Sequence, residues 1–254
     1  MTQPRTCLVT GASRGIGAAT AARLAADGHR VALLGRDAGA LEALAETLPS
    51  PFLIVPADVT DADQTEEAFA RVEREWGPVE VLVSNAGSGA AAPLVETTDE
   101  LWARMIDLNL TAPFRLLRRA VPGMVSGGWG RIVVVASVVA KRGEPQVAAY
   151  SAAKHGALGL VRAAAAELAR TGVTVNAVCP GYVDTDMTAR AVENIRARTG
   201  RGAEQALEAI KGMSPQHRLV TPEEVAAVAL LLASEDGRGI TGQAINVDGG
   251  AVLF

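Results

Sequence analysis

Tyr150 and Lys154 are the residues whose types and spacing most directly suggest chemistry. They stand in Tyr150-Ser151-Ala152-Ala153-Lys154, near the head of a long stretch rich in small residues. Positions i and i+4 share one face of a helix, so the phenol and the ammonium would point the same way. An unperturbed tyrosine has a pKa of about 10 and is a poor base at neutral pH. A cation a few ångströms away favours phenolate and lowers that value. A tyrosine tuned in this way can give a proton to the oxygen of a carbonyl being reduced, or take one from an alcohol. Ser137 closes a β-branched run and offers a hydroxyl that could hold the same oxygen and stabilise developing negative charge. Asn109 lies inside a helical pattern, in Asp107-Leu108-Asn109-Leu110-Thr111. Asparagine is a poor helix former because its amide competes for backbone hydrogen bonds, so its presence there points to a kink or to a held water.

A second group of residues could hold an anion. The first apolar run ends in Thr10-Gly11-Ala12-Ser13-Arg14-Gly15-Ile16-Gly17, and a helical pattern begins at once. Gly11 permits a tight turn, Gly15 lets a pyrophosphate approach the backbone, and Gly17 lets the helix pack close to the sheet. Ser13 and Ile16 complete the turn. The helix start then offers free N–H groups and a positive dipole end to phosphates. The spacing is G-x-x-x-G-x-G rather than the common G-x-G-x-x-G. An acid about 20 residues beyond would hold the ribose hydroxyls of NAD, whereas an arginine would accommodate the extra phosphate of NADP. Here the second run ends Leu33-Leu34-Gly35-Arg36-Asp37. Gly35 stands where the acid is expected and Arg36 follows, with Arg14 as a second cation. NADP (NADPH) is therefore favoured over NAD, and Asp37 is the counter-indication. Asp58 falls either beside the adenine or in a turn. Lys154 could also donate to the nicotinamide ribose, serving chemistry and binding together.

These residues need a frame. Short β-branched runs alternate with Ala-rich amphipathic stretches. The runs are Thr6–Thr10, Arg30–Leu34, Phe52–Val55, Val79–Val83, Arg131–Ala136, Val173–Val178 and Gln243–Val247. The helical stretches are Ile16–Asp27, Ala38–Leu48, Ala62–Trp76, Thr98–Val125, Ala148–Arg170 and Pro222–Ser234. Strand–helix alternation with nearly continuous apolar strands predicts a seven-stranded parallel sheet covered on both faces, in one doubly wound Rossmann domain over 1–254. Segment 188–212 exceeds the rhythm. It carries Arg190, Arg196, Arg198, Arg201 and Lys211 against Glu193, Glu204 and Glu208. It reads as a helical flap over a substrate cleft, or else as a solvated hairpin without a role.

The whole chain limits the alternatives. It has 254 residues, 49% of them hydrophobic, and a net charge of −4, with no basic stripe to signal nucleic acid. The N-terminal segment Met1–Thr6 lacks the features of a signal peptide, and no run reaches the roughly 18 apolar residues of a membrane span. Cys7 and Cys179 sit in apolar runs and read as buried thiols of a cytoplasmic protein. His29, His155 and His217 form no cluster with metal spacing, so no metal is expected. Trp76, Trp102 and Trp129 read as packing residues, and Tyr182 as a pocket wall. Ser88–Ala92 is a small-residue loop that could govern which face of a ketone is presented.

The pattern resembles the short-chain dehydrogenase/reductases over essentially the full chain. The matching motifs are Thr10-Gly11-x-x-x-Gly15-Ile16-Gly17, Asp58-Val59, Ser84-Asn85-Ala86-Gly87, Asn109, Ser137, Tyr150-x-x-x-Lys154 and Pro180-Gly181. The resemblance implies an acid/base at Tyr150, a Lys154 that lowers its pKa, a Ser137 that orients substrate and an Asn109 that holds a relay water. It implies that Asp58, Val59, Asn85, Ala86 and Gly87 contact the cofactor, and that Pro180, Gly181, Tyr182, Val183 and Thr185 line its nicotinamide end. It also implies a homotetramer built through the Asn109 and Tyr150 helices and the C-terminal strand. Ser84 departs from the family's usual Asn. Within the family the chain is similar to bacterial 3-oxoacyl thioester reductases and polyketide ketoreductases. The substrate implied is a ketone or secondary alcohol, free or linked to CoA or a carrier protein. An NAD-dependent dehydrogenase of a hydroxyacyl-CoA, sugar or sterol is the enzymatic alternative. A non-catalytic dinucleotide sensor is the non-enzymatic one.

Overall fold

The computed structural model describes residues 3–49 and 51–254; Met1 and Thr2 of the N-terminal segment read above, and Ser50, lie outside them. Seven strands form one sheet: β1 (Thr6–Thr10), β2 (Arg30–Gly35), β3 (Phe52–Pro56), β4 (Val81–Ser84), β5 (Gly130–Val135), β6 (Val173–Pro180) and β7 (Ala244–Val247). Their order is β3-β2-β1-β4-β5-β6-β7, and every pairing is parallel. The order reverses between β1 and β4, and at such a switch point the two following connections leave on opposite faces and open a crevice.

Period two along each strand builds both faces. On β1, Leu8 enters one core with Phe69, Leu116 and Leu158. Cys7 and Val9 enter the other with Leu24, Leu41 and Val225. The first layer is α3 (Ala62–Trp76), α5 (Ala112–Ser126) and α6 (Ala148–Leu168); the second is α1 (Gly15–Ala26), α2 (Ala38–Ala45) and α9 (Pro222–Ala233). A strand buried on both faces has no polar face to show, which is why the runs read as continuous apolar segments.

Three expectations need correction. The predicted helix Thr98–Val125 is interrupted. It consists of α4 (Asp99–Ile106), a π-helical turn at Asp107–Thr111, and α5. Thr98 lies outside as the N-cap, accepting from the Leu101 N–H. The π turn centres on Asn109, whose Nδ2 donates to the Met105 carbonyl four residues back, the competition expected of an amide in a helix. The flap is two helices, α7 (Asp186–Thr199) and α8 (Ala203–Lys211), joined through Gly200 in the left-handed region at φ 70°. It begins two residues earlier than the sequence segment, and Thr188, Ala206 and Ile210 are buried anchors. Among the tryptophans, Trp102 is half-exposed. Trp129 does more than pack, since Arg5 and Arg131 lie 3.9 and 4.3 Å from its ring centroid. Arg131, only 2% exposed, donates to the Gly130, Gly172 and Ser234 carbonyls and pairs with Glu235, tying the starts of β5 and β6 to the end of α9.

Candidate active site

The cleft opens where β1 and β4 part. The Thr10 hydroxyl accepts from the N–H groups of Asn85 and Ala86, each at 3.0 Å. The Asn85 amide donates back to the carbonyls of Thr10 and Gly11 at 2.9 and 3.1 Å. Gly11 adopts φ 63°, and a Cβ there would stand 2.9 Å from the Ala86 Cα. Gly17 faces the Gly11 carbonyl so closely that a Cβ would lie 2.1 Å from it. The close packing expected of Gly17 is thus made to the turn itself. Gly15, at φ 56°, lies under Thr185, whose Cγ2 would be 3.0 Å from an added Cβ. Arg14 is the N-cap of α1 and no side chain caps that helix, leaving its first-turn N–H groups for a ligand.

Past the end of β2, Asp37 is the N-cap of α2, accepting from the Ala40 N–H at 3.0 Å. Asp58 accepts from the N–H and hydroxyl of Thr60, a turn contact, and its other oxygen is 3.7 Å from Arg36. Val59 is buried in the core beneath it. The Arg14 guanidinium is 3.2 Å from Asp186, the first residue of α7.

At the other end, β5 and β6 pair through Val135 and Val178, and Ser137 and Pro180 follow two residues later on each. Ser137 is extended, and its Oγ accepts from the Val139 N–H. Gly181 continues the edge with its N–H to the Val247 carbonyl, Val183 bridges to Val220, and Thr185 opens α7. Tyr150 and Lys154 stand on the first turns of α6. Lys154 is 4% exposed and donates to the Val135 carbonyl at 2.9 Å. Asn109 is wholly buried. Its Nδ2 is used by Ser88 and Met105, while its Oδ1 has no partner. Asn109 and Lys154 converge over Gly87: a Cβ there would meet Asn109 Oδ1 at 2.9 Å and Lys154 Nζ at 3.6 Å. Ser84 is buried and keeps its pairing with Val134, so its departure from the family pattern leaves the strand end intact.

Burial sets the protonation states. It pushes the Tyr150 phenol up to about 12, and the neighbouring Ser137 hydroxyl opposes the shift by hydrogen bonding to it. Burial lowers Lys154 to about 8. Its ammonium sits 5.7 Å from the Tyr150 ring centroid and is bonded to a carbonyl, and Ser137 is the group that eases ionisation. His155 is exposed and turned back onto the Ser151 carbonyl. Among the described residues no His, Cys, Asp or Glu cluster could hold a metal.

Beyond Ser137 lies a cavity of about 20 Å³, roughly one water. Its lining includes Val138, Arg142, Gly181, Tyr182 and Asp248, with Ile210 of α8 and Met213 just beyond that helix. Sequence reasoning missed Arg142 and its partner Glu144, because that loop has no period to read.

The site can be set beside known proteins. The family model for enoyl-(acyl carrier protein) reductase matches residues 11–252. The 3-oxoacyl-(acyl-carrier-protein) reductase MabA of Mycobacterium tuberculosis is 46% identical over 246 residues, 97% of this chain and 92% of that protein. The chain belongs to the short-chain dehydrogenase/reductases. A point variant of actinorhodin polyketide ketoreductase, solved with NADPH, superposes with a TM-score of 0.95 at 38% identity, covering 100% of both chains. D-beta-hydroxybutyrate dehydrogenase of Rhizobium meliloti is 36% identical over 97% of this chain and 98% of its own length. The enzyme is therefore an oxidoreductase of a family that uses a nicotinamide cofactor. The uncapped helix start, the close-approach glycines and the unpartnered Asn109 Oδ1 fit such a group.

Gly87→Ala would drive a methyl group between Asn109 and Lys154. Turnover should fall at least about tenfold, since small misplacements in a site are costly. The melting temperature should move by only about 2–4 °C. Steady-state kinetics beside thermal unfolding checks this; unchanged turnover would refute the convergence.

Proposed function

We propose that the enzyme is an NADPH-dependent reductase of a 3-oxoacyl thioester or a related polyketide-like ketone. The observation that carries this reading is the grouping of Ser137, Tyr150, Lys154 and Asn109 at one end of a cleft whose other end offers Arg14 and Arg36. Asp37 is engaged as a helix cap, which counts against the NAD alternative and supports NADPH. The relatives named above support the ketone.

In this reading Gly11, Ser13, Gly15, Ile16 and Gly17 hold the pyrophosphate, and Arg14 and Arg36 the extra phosphate. Asp58, Val59, Asn85, Ala86 and Gly87 border the adenosine side. Pro180, Gly181, Val183 and Thr185 border the nicotinamide. When bound, the reduced cofactor supplies hydride to the carbonyl carbon. Ser137 and Tyr150 hold the carbonyl oxygen, and Tyr150, protonated across the neutral range, gives it a proton. Lys154 donates to the ribose and, with a water on the orphaned Asn109 Oδ1, restores that proton. The flap covers the cleft, and Arg190, Arg198 and Arg201 would attract a phosphorylated pantetheine arm, whether on CoA or a carrier protein. The half-exposed Trp102 and Phe114 fit a contact between copies in a homotetramer. A cytoplasmic setting fits the two free buried thiols. Among the described residues no helix is long and apolar enough to cross a membrane.

Tyr150→Phe tests the reading. Turnover of ketones should fall about 10²–10⁴-fold while NADPH still binds; a variant as active as the parent would overturn the assignment. Arg36→Asp should weaken NADPH and spare NADH in fluorescence titration, and an unchanged preference would exclude Arg36 as a phosphate ligand. The pH dependence follows from burial. Lys154 is charged below about 8 and neutral above it, whereas Tyr150 at about 12 stays protonated throughout. The value of kcat/KM for NADPH should therefore fall above about pH 8. A profile flat to pH 10 would remove Lys154 from cofactor binding.

A further inference from the structure

The cavity beyond Ser137 holds polar groups that the reaction described above does not use. Most are internally satisfied. Asp248 accepts from the N–H groups of Gly250 and Val252. Arg218 is paired with both oxygens of Glu224. Ser214 is engaged with Gly249 and Gln216. Arg218 lies exposed, and of the less exposed groups two keep free donors. The Tyr182 hydroxyl has no hydrogen-bond partner among the described residues. Arg142 gives Nε and Nη2 to Glu144 and one Nη1 hydrogen to the Ala251 carbonyl, which leaves two of its five N–H groups uncommitted.

Their position gives these donors meaning. Ser137 and Tyr182 come from the adjoining ends of β5 and β6, and Val138 and Gly181 carry the wall from one to the other. Tyr182 stands two residues past the end of β6, as Ser137 stands two residues past the end of the neighbouring β5. Burial, then the Glu144 carboxylate, raises Tyr182's own pKa, so it stays a hydroxyl and a donor. Glu144 neutralises Arg142, so the cavity offers N–H and O–H donors without net positive charge. Such a wall suits a neutral carbonyl oxygen better than a carboxylate.

We propose that Tyr182, backed by Arg142, is a substrate-orienting residue that binds a second carbonyl oxygen while the first is reduced at Tyr150. The substrate class is then a 1,3-dicarbonyl, with the ketone and a neutral carbonyl two carbons apart. A 3-oxoacyl thioester has that pattern, and the inference rests on the reading given under Proposed function. Two-point binding fixes which carbonyl meets Tyr150, and a cavity of about 20 Å³ must widen around Ile210 and Met213 to admit more than the carbonyl.

Tyr182→Phe removes one oxygen and little else. The wild type and this variant would be assayed with acetoacetyl-N-acetylcysteamine thioester, 2,4-pentanedione and 2-pentanone. We expect kcat/KM for both dicarbonyls to fall about fivefold to tenfold, the worth of one neutral hydrogen bond, with 2-pentanone within twofold. Equal losses on all three, or none on any, would overturn the assignment. If the wild type reduces the diketone but not the thioester, the thioester reading fails, and the diketone comparison still decides the role of Tyr182. A wild type that reduces none of the three refutes both.

Discussion

The Thr10 hydroxyl is the joint on which the cleft depends. It accepts two backbone N–H groups from Asn85 and Ala86, and so holds the ends of β1 and β4 together where the sheet's winding reverses. The glycine turn must then rise over that joint within very little space. A Cβ at Gly11 would strike Ala86, and one at Gly17 would strike the Gly11 carbonyl. These glycines are therefore forced by backbone packing alone. The same joint aims Gly87 at Asn109 and Lys154, so the two ends of the cleft are set by one contact.

Burial does the electrical work at the far end. A phenol and an ammonium placed in a dry wall both shift toward their neutral forms, and the shifts move in opposite directions along the pH scale. The result is a tyrosine that holds its proton and a lysine near its titration point at mildly alkaline pH. The π turn at Asn109 belongs to the same economy. One extra residue in the helix lets a side-chain amide face the cleft, and it leaves a carbonyl oxygen without a partner in an otherwise satisfied interior.

Flap and turn are coupled through consecutive residues. Thr185 covers Gly15, Asp186 meets Arg14, and Met187 comes to 4.0 Å from a Cβ on Gly89. The root of the flap thereby touches the glycine turn and the loop after β4. The far end of α8 closes the cavity beside Tyr182. Charges along the flap divide in the same way: Arg196 and Lys211 are spent on Glu193 and Glu208 within their own helices.

Whatever depends on short-range periodicity was determined by the sequence itself. The seven apolar runs, the glycine spacing at a strand-to-helix junction and the shared face of Tyr150 and Lys154 are local patterns, set by periods of two and 3.6 residues. They were enough for the fold. Even the awkward Asn109 was legible, because an amide inside a helix is a local conflict. Tertiary structure decided what depends on distance and dryness. Lys154 is buried against the Val135 carbonyl, Asp37 caps a helix, and Asn109 meets Gly87 across the cleft. The wall formed by Arg142, Tyr182 and Met213 comes from segments far apart in the chain. No local period encodes such a meeting, because it exists only once the sheet and its two helical layers have packed.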